Sequence, residues 1–172
     1  SEEYPKIVVF DLDYTLWPCW CDTHISPPVK KHGTDNAVVD KHGRSMAFFP
    51  DVESVISELR TRGIQVAAAS RTDTPLVAKK MLKLLTVAGQ SSIDQFDVLE
   101  IYPGSKITHF KQIAAKTGID YSDMLFFDDE TRNREVERVL GVKFVLVDDG
   151  VTRPVWEQAV VDWRRHKAAA RR

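Results

Sequence analysis

The stretch Lys6-Ile7-Val8-Val9-Phe10-Asp11-Leu12-Asp13-Tyr14-Thr15 opens as an unbroken apolar run and closes on two acids two residues apart. Continuous β-rich hydrophobicity fits a parallel strand covered on both faces, since a strand with one wet face alternates apolar and polar residues. Four further runs repeat the pattern: Ile64-Gln65-Val66-Ala67-Ala68-Ala69-Ser70, Phe96-Asp97-Val98-Leu99-Glu100-Ile101-Tyr102, Met124-Leu125-Phe126-Phe127 and Val142-Lys143-Phe144-Val145-Leu146-Val147. Helical patterns fall between them. Asp51 stands at an N-cap position, after which Val52, Val55, Ile56 and Leu59 share one face until Gly63. Thr74-Pro75 reads as a cap followed by proline at the first helical position, with Val77, Met81, Leu84 and Leu85 as its apolar stripe. Ser105 opens a third helix that turns Phe110, Ile113 and Ala114 inward and stops at Gly118. Arg132 to Leu140 is a short fourth helix. A last one runs from about Thr152 to Ala169, with Trp156, Ala159, Val160 and Trp163 on one face. This alternation predicts an α/β fold, a doubly wound, Rossmann-like parallel five-stranded sheet.

One interval breaks the rhythm. The first strand ends near Phe10, yet the first helix waits until Asp51, far beyond the usual βα loop of roughly 2–6 residues. Residues 17–50 contain Pro27-Pro28, then Val38-Val39 and Ala47-Phe48-Phe49 on either side of Lys41-His42-Gly43-Arg44. That pattern reads as a β-hairpin laid over the sheet as a flap or minimal cap. Loops at the carboxyl ends of parallel strands are where α/β proteins bind ligands. No repeat, linker or low-complexity tract divides the chain, so residues 1–172 read as one domain.

Composition bounds the possibilities. The chain has 172 residues, 43% hydrophobic and 28% charged. That length buries roughly 70% of the unfolded surface with no staple. Lys plus Arg number 24 against 25 Asp plus Glu, a formal net charge of −1, which argues against nucleic acid as a partner. No run of about eighteen apolar residues offers a membrane span. Ser1-Glu2-Glu3-Tyr4 is acidic and lacks an apolar secretion segment, and Ser1 in place of Met reads as a processed or recombinant end. Cys19 and Cys21 are too close for an unstrained disulfide, so reduced thiols in a cytoplasmic, or nuclear, setting are expected.

Asp11-Leu12-Asp13-Tyr14-Thr15 carries the chemistry. Residues two apart point to the same side of an extended chain, so two carboxylates converge just past a strand end. Like charges that close resist joint ionisation unless a cation joins them. Oxygen ligands without clustered His or Cys suit a hard ion such as magnesium. One carboxylate can act as a nucleophile and pass through an aspartyl-phosphate. The other can protonate a leaving oxygen and then deprotonate water. Asp128-Asp129 repeats the motif after the fourth strand and can complete an oxygen shell. Asp148-Asp149-Gly150, after the fifth, looks the same but reads as a turn. Ser70 and Arg71 end the second strand, where a hydroxyl and a guanidinium could meet phosphoryl oxygens. Lys106 places a cation against the dipole of its own helix, a local conflict that suggests work on a transferring phosphoryl group.

The set Asp11-x-Asp13-x-Thr15, Ser70, Lys106 and Asp128-Asp129 resembles the four motifs of the haloacid-dehalogenase superfamily. Within it, Phe10 to Pro18, Ala67 to Thr72, Ile101 to Lys106 and Phe126 to Glu130 look like the magnesium-dependent phosphatase family, small phosphatases with a minimal cap acting on phosphotyrosine-like and sugar-type phosphates. The resemblance covers roughly Lys6 to Gly150 and implies the strand order 5-4-1-2-3. It implies Asp11 as nucleophile and magnesium ligand, and Asp13 as general acid/base that gives its carbonyl to the metal. Ser70 would bind the phosphoryl group and Lys106 would balance its charge. Asp128 would ligate magnesium, and Asp129 would support the metal's waters or Lys106. Leu12, Ser70, Arg71, Lys106 and Trp20 are the expected substrate contacts.

The expected activity is magnesium-dependent hydrolysis of phosphomonoesters, either aryl phosphates such as phosphotyrosine or sugar-type phosphates on a glycated amine. The substrate is then a phosphorylated small molecule or a phosphoprotein, and a monomer is favoured. A phosphotransferase or mutase, and a catalytically silent binding module, are the alternatives. Cys19, Cys21 and His24 match no common zinc spacing. His32 and His42 read as exposed flap residues, and Arg164-Arg165-His166-Lys167 with Arg171-Arg172 as a basic helix end.

Overall fold

The structure, a computed structural model, describes residues 2–172, so Ser1 lies outside the described residues. In chain order the elements are β1 (Ile7–Phe10), α1 (Cys21–His24), β2 (Lys30–Lys31), β3 (Val38–Val39), β4 (Ser45–Met46), α2 (Val52–Thr61), β5 (Gln65–Ser70), α3 (Pro75–Leu84), β6 (Thr86–Val87), β7 (Gln90–Ser91), β8 (Val98–Ile101), α4 (Lys106–Thr117), β9 (Met124–Asp128), α5 (Glu135–Leu140), β10 (Lys143–Leu146) and α6 (Arg153–Ala170).

The central sheet runs β10-β9-β1-β5-β8. Counting only its own strands along the chain, that is 5-4-1-2-3, and every neighbouring pair is parallel. Side chains alternate across each strand and so feed two cores. Val8, Phe10, Val66 and Ala68 face one layer with α2, α3 and α6, while Ile7, Val9, Ala67 and Ala69 face the other with α4 and α5. Both faces are dry, which is why β1 is buried at all four positions. Each fully buried Val, Ile or Phe contributes roughly 1.5–3 kcal/mol.

The helix starts differ from the sequence reading in two respects. Ser105 caps α4 by accepting from Ile107 N, and Thr152 caps α6 by accepting from Val155 N. Asp51 and Thr74 occupy cap positions but make no side-chain cap bond. Asp51 instead accepts from the N–H of Arg153 at 2.9 Å, because the start of α6 packs beside α2 and competes for the carboxylate. The expected fourth helix begins with a 3₁₀ turn at Thr131–Arg134 before α5.

Between β1 and α2 the chain forms a short helix and a three-stranded antiparallel sheet, β2-β3-β4. The hairpin is β3–β4, and its second arm is Ser45–Met46, with Ala47-Phe48-Phe49 leaving the sheet. Those aromatics go to the core instead: Phe48 stacks on Trp17 at 6.2 Å, and Phe49 packs over Gly150. Asp40 holds the hairpin turn by accepting from the N–H groups of His42 and Arg44. A small β6–β7 hairpin after α3 lay outside the sequence reading.

The basic end of α6 is an internal latch. Lys167 pairs with Asp123 at 2.6 Å, and Arg171 pairs with Glu3 at 2.8 Å. No helix among the described residues is long and apolar enough to cross a membrane.

Candidate active site

Parallel pairing brings three strand ends to one level. Phe10 pairs with Ala68 on one side and Phe127 on the other. Asp11 follows at once, its N–H donating to the Phe127 carbonyl at 2.9 Å. Asp128 is the last residue of β9 and is fully buried.

Lys106 enters from beyond β8. Its Nζ donates to Asp128 Oδ2 at 2.9 Å and to Asp11 Oδ1 at 3.2 Å. The side chain is 1% exposed. An ammonium stays ionised there only because carboxylates surround it. Burial opposes its charge, yet Asp11 and Asp128 outweigh burial and hold its pKa above the ordinary lysine value. The helix-start conflict seen in sequence is thus resolved by this pairing. Among the described residues the hydrogen bonds of Lys106 Nζ go to Asp11 and Asp128, and none goes to Asp129.

Asp11, Asp128 and Asp129 bring carboxylate oxygens within 4.8 Å of one another. Burial pushes Asp11 well above the usual carboxylate range, Lys106 pulls it back, and Asp128 and Asp129 add to the rise. Asp129 is pushed up to about 6, first by burial and then by Asp128 and Glu130, while its contact with Asp11 opposes the shift. One ammonium leaves this trio with surplus negative charge in a poorly hydrated place. A hard divalent cation removes that conflict, and an oxygen-only donor set suits magnesium.

Asp13 is held apart from that trio. Its Oδ1 accepts from Trp17 Nε1 at 2.8 Å and from Cys21 N at 3.2 Å. Burial raises its pKa, with Trp17 and Cys21 opposing. A carboxyl with a raised pKa at the mouth of a pocket is suited to proton exchange.

The pocket has a volume of about 350 Å³, and Asp11, Asp13, Trp20, Ser70 and Arg71 line it. Ser70 is buried, its hydroxyl accepting from Thr72 N at 3.2 Å. Arg71 donates through Nη2 to the Asn133 side-chain oxygen, and its buried Nε has no partner among the described residues. Trp20 is 50% exposed, edge-on to Tyr14 at 5.3 Å and stacked on His24 at 5.5 Å. Leu12 turns its side chain into the core, so only its main chain can meet a substrate.

Three residues outside the sequence expectations support the site. Thr15 donates to Asp11 Oδ2 at 3.3 Å. Asn133 donates to Asp128 Oδ2 at 2.8 Å while holding Arg71. His109, fully buried, sets its ring nitrogens against the carbonyls of Ser105, Ser70 and Tyr102 and ties α4 to the ends of β5 and β8. Thr15 sits inside the D-x-D-x-T spacing, which is a signal; Asn133 and His109 carry none locally. Among the described residues Cys21 joins no cluster of metal-ligating side chains. Burial pushes its thiol up to about 12, and its Sγ lies 3.3 Å from the Thr72 hydroxyl.

The sequence profile described as acid phosphatase matches residues 3–166. The chain belongs to the acid phosphatase family. This phosphatase is 49% identical over 148 residues to a HAD-like hydrolase superfamily protein of Schizosaccharomyces pombe, covering 83% of this chain and 86% of that one. It is 45% identical over 147 residues to human magnesium-dependent phosphatase 1, covering 86% and 80%. Among solved structures, the N-terminal part of a Bacteroides fragilis protein, containing a phosphatase domain complexed with Mg, superposes with a TM-score of 0.62 at 19% identity. That match covers 95% of this phosphatase and 40% of the other chain, so it establishes the fold alone. The phosphatase has the haloacid-dehalogenase fold.

Proposed function

We propose that this phosphatase hydrolyses phosphomonoesters through an aspartyl-phosphate on Asp11. The enzyme is a magnesium-dependent phosphatase of the haloacid-dehalogenase superfamily. Asp11, Asp128 and Asp129, with the main-chain carbonyl of Asp13, would hold the ion. When bound, magnesium offsets the charge gathered between the carboxylates and the phosphoryl oxygens.

Asp11 attacks phosphorus as the bond to the leaving oxygen breaks, and Asp13 gives its proton to that oxygen. Asp13 then takes a proton from water, whose oxygen attacks phosphorus and releases inorganic phosphate and the free Asp11 carboxylate. Lys106 holds Asp11 Oδ1, and Thr15 holds Oδ2, which fixes the nucleophile before substrate arrives. The Ser70 hydroxyl and the main chain of Leu12 bind phosphoryl oxygens. Arg71 supplies a cation to them, and Trp20 walls an aryl leaving group.

The observation that carries this reading is one ammonium set between two carboxylates at adjacent strand ends, with a third beside them. The flap leaves the pocket open, which favours a phosphate displayed on a larger body, aryl phosphates above compact alkyl ones. Purified protein should release phosphate from 4-nitrophenyl phosphate with magnesium and stop with EDTA. No turnover across a broad phosphomonoester panel with magnesium present would refute the reading.

A further inference from the structure

A second cavity of about 650 Å³ adjoins the catalytic pocket and is larger than it. Its walls are Pro27, Pro28 and Val29 from the flap, and Pro75, Leu76 and Val77 from the first turn of α3. Asp73 lines both cavities and forms the ridge between them. The catalytic reading gives this apolar groove no task. Leu76 is 82% exposed, the most exposed large apolar side chain of those on the surface. One exposed leucine is ordinary, but this one is a wall of an apolar groove beside the reaction site.

We propose that the groove is a recognition subsite for the body of a phosphopeptide substrate, taking an apolar side chain close in sequence to the phosphorylated one. This rests on the phosphatase reading above. Three lines support a peptide. The first is continuity: Asp73 lines both cavities, so a substrate whose phosphate sits in the pocket can continue past Asp73 into the groove.

The second is charge along the path. Asp73 is exposed and has no ion-pair partner among the described residues, so its carboxylate is free to accept an N–H from a peptide backbone crossing the ridge. Lys80 also lines the groove and is likewise without an ion pair among the described residues. It stands four residues after Leu76 on α3, hence on the same face and about 6 Å further along the axis. An acidic residue following the apolar one would meet it. The third is access. Pocket and groove both open to solvent, so a segment attached to a larger body can lie across them.

The test uses short phosphotyrosyl peptides in pairs, with Leu or Ser placed two or three positions to either side of the phosphotyrosine, followed by Asp or Lys. On the wild-type enzyme with magnesium, the best Leu-Asp peptide should exceed its Ser-Asp counterpart in kcat/KM by roughly tenfold, the worth of seating one aliphatic side chain. Leu76→Asp should erase that ratio, and Lys80→Glu should reverse the Asp-over-Lys preference. Both side chains are exposed, so folding is not at stake, and turnover of 4-nitrophenyl phosphate should stay unchanged as the control. A ratio near one in the wild type, or one that survives Leu76→Asp, overturns the subsite. So does an apolar carboxylic acid phosphate that outcompetes every peptide and responds to Leu76→Asp, since the groove would then serve a metabolite. Failure of the phosphatase reading looks different: wild-type enzyme would leave 4-nitrophenyl phosphate itself intact.

Discussion

Two acid pairs follow two neighbouring parallel strands, and only one of them belongs to a site. Asp128-Asp129 ends β9, which lies between β10 and β1. Asp148-Asp149 follows β10, at the margin of the sheet, and both residues are exposed. Asp128 is buried against Lys106, and its carboxylate is shared with Asn133. Asp148-Asp149 leads into Gly150, which has φ of +73° and lies so close to Phe49 that a Cβ would come within 2.2 Å of its ring. The second pair shapes a turn that seats a flap aromatic. The chemistry of an acid pair here is therefore set by which strand stands next to it, and of β9 and β10 only β9 pairs with β1, whose end leads into Asp11.

This comparison can be broken at several points. Asp11→Asn removes the nucleophile around which the first pair is built. It should lower turnover by on the order of 10⁴-fold or more and abolish any trapped phosphoenzyme, measured by phosphate release and by acid-quenched labelling. Asp13→Asn should cost at least ~100-fold, and more for alkyl than for nitrophenyl leaving groups, because only poor leaving groups need the proton. Near-full activity on alkyl phosphates would move the acid role elsewhere.

Asp128→Asn takes a carboxylate from both the cation shell and Lys106. The magnesium concentration for half-maximal activity should rise by at least the ~10–100-fold typical of losing even an outer-shell partner. A magnesium titration of the rate reads this directly. Gly150→Ala tests the other pair's structural role. It forces a side chain into left-handed backbone and into Phe49, and should lower stability by about 1–3 kcal/mol in denaturant melts with little change in KM. The smallest effect belongs to Asp148→Asn with Asp149→Asn, which should leave both kcat and the magnesium requirement within about twofold, as surface substitutions do. A shifted magnesium requirement in that double variant would erase the distinction between the pairs.

Much of the site is legible in sequence because its residues lie where runs of hydrophobicity stop. Asp11, Ser70, Asp128 and the D-x-D spacing can be placed at strand ends by pattern alone. Lys106 is visible only as an oddity, a cation at a helix start. Asn133 and His109 leave no trace, since an amide in a 3₁₀ turn and a histidine on an amphipathic helix have many ordinary uses. Their roles come from contacts with elements far along the chain. The flap shows the same division. Its existence follows from an interval too long for a loop, but the arms of its hairpin were displaced because Phe48 and Phe49 are drawn into the core by Trp17 and Gly150.

The amino-acid sequence by itself determined the strand–helix alternation, the acids at strand ends and the preference for a hard cation, since each depends on local pattern or on the chemistry of side-chain oxygens. Tertiary structure alone decided which acids meet. Lys106 reaches Asp11 across 95 residues of chain and Asp128 across 22, and the groove beside Asp73 exists only where the flap and α3 approach each other. The physical reason is that hydrophobic periodicity reports burial along one element, whereas charge compensation and cavity shape depend on distances between elements that are fixed only when the sheet order is.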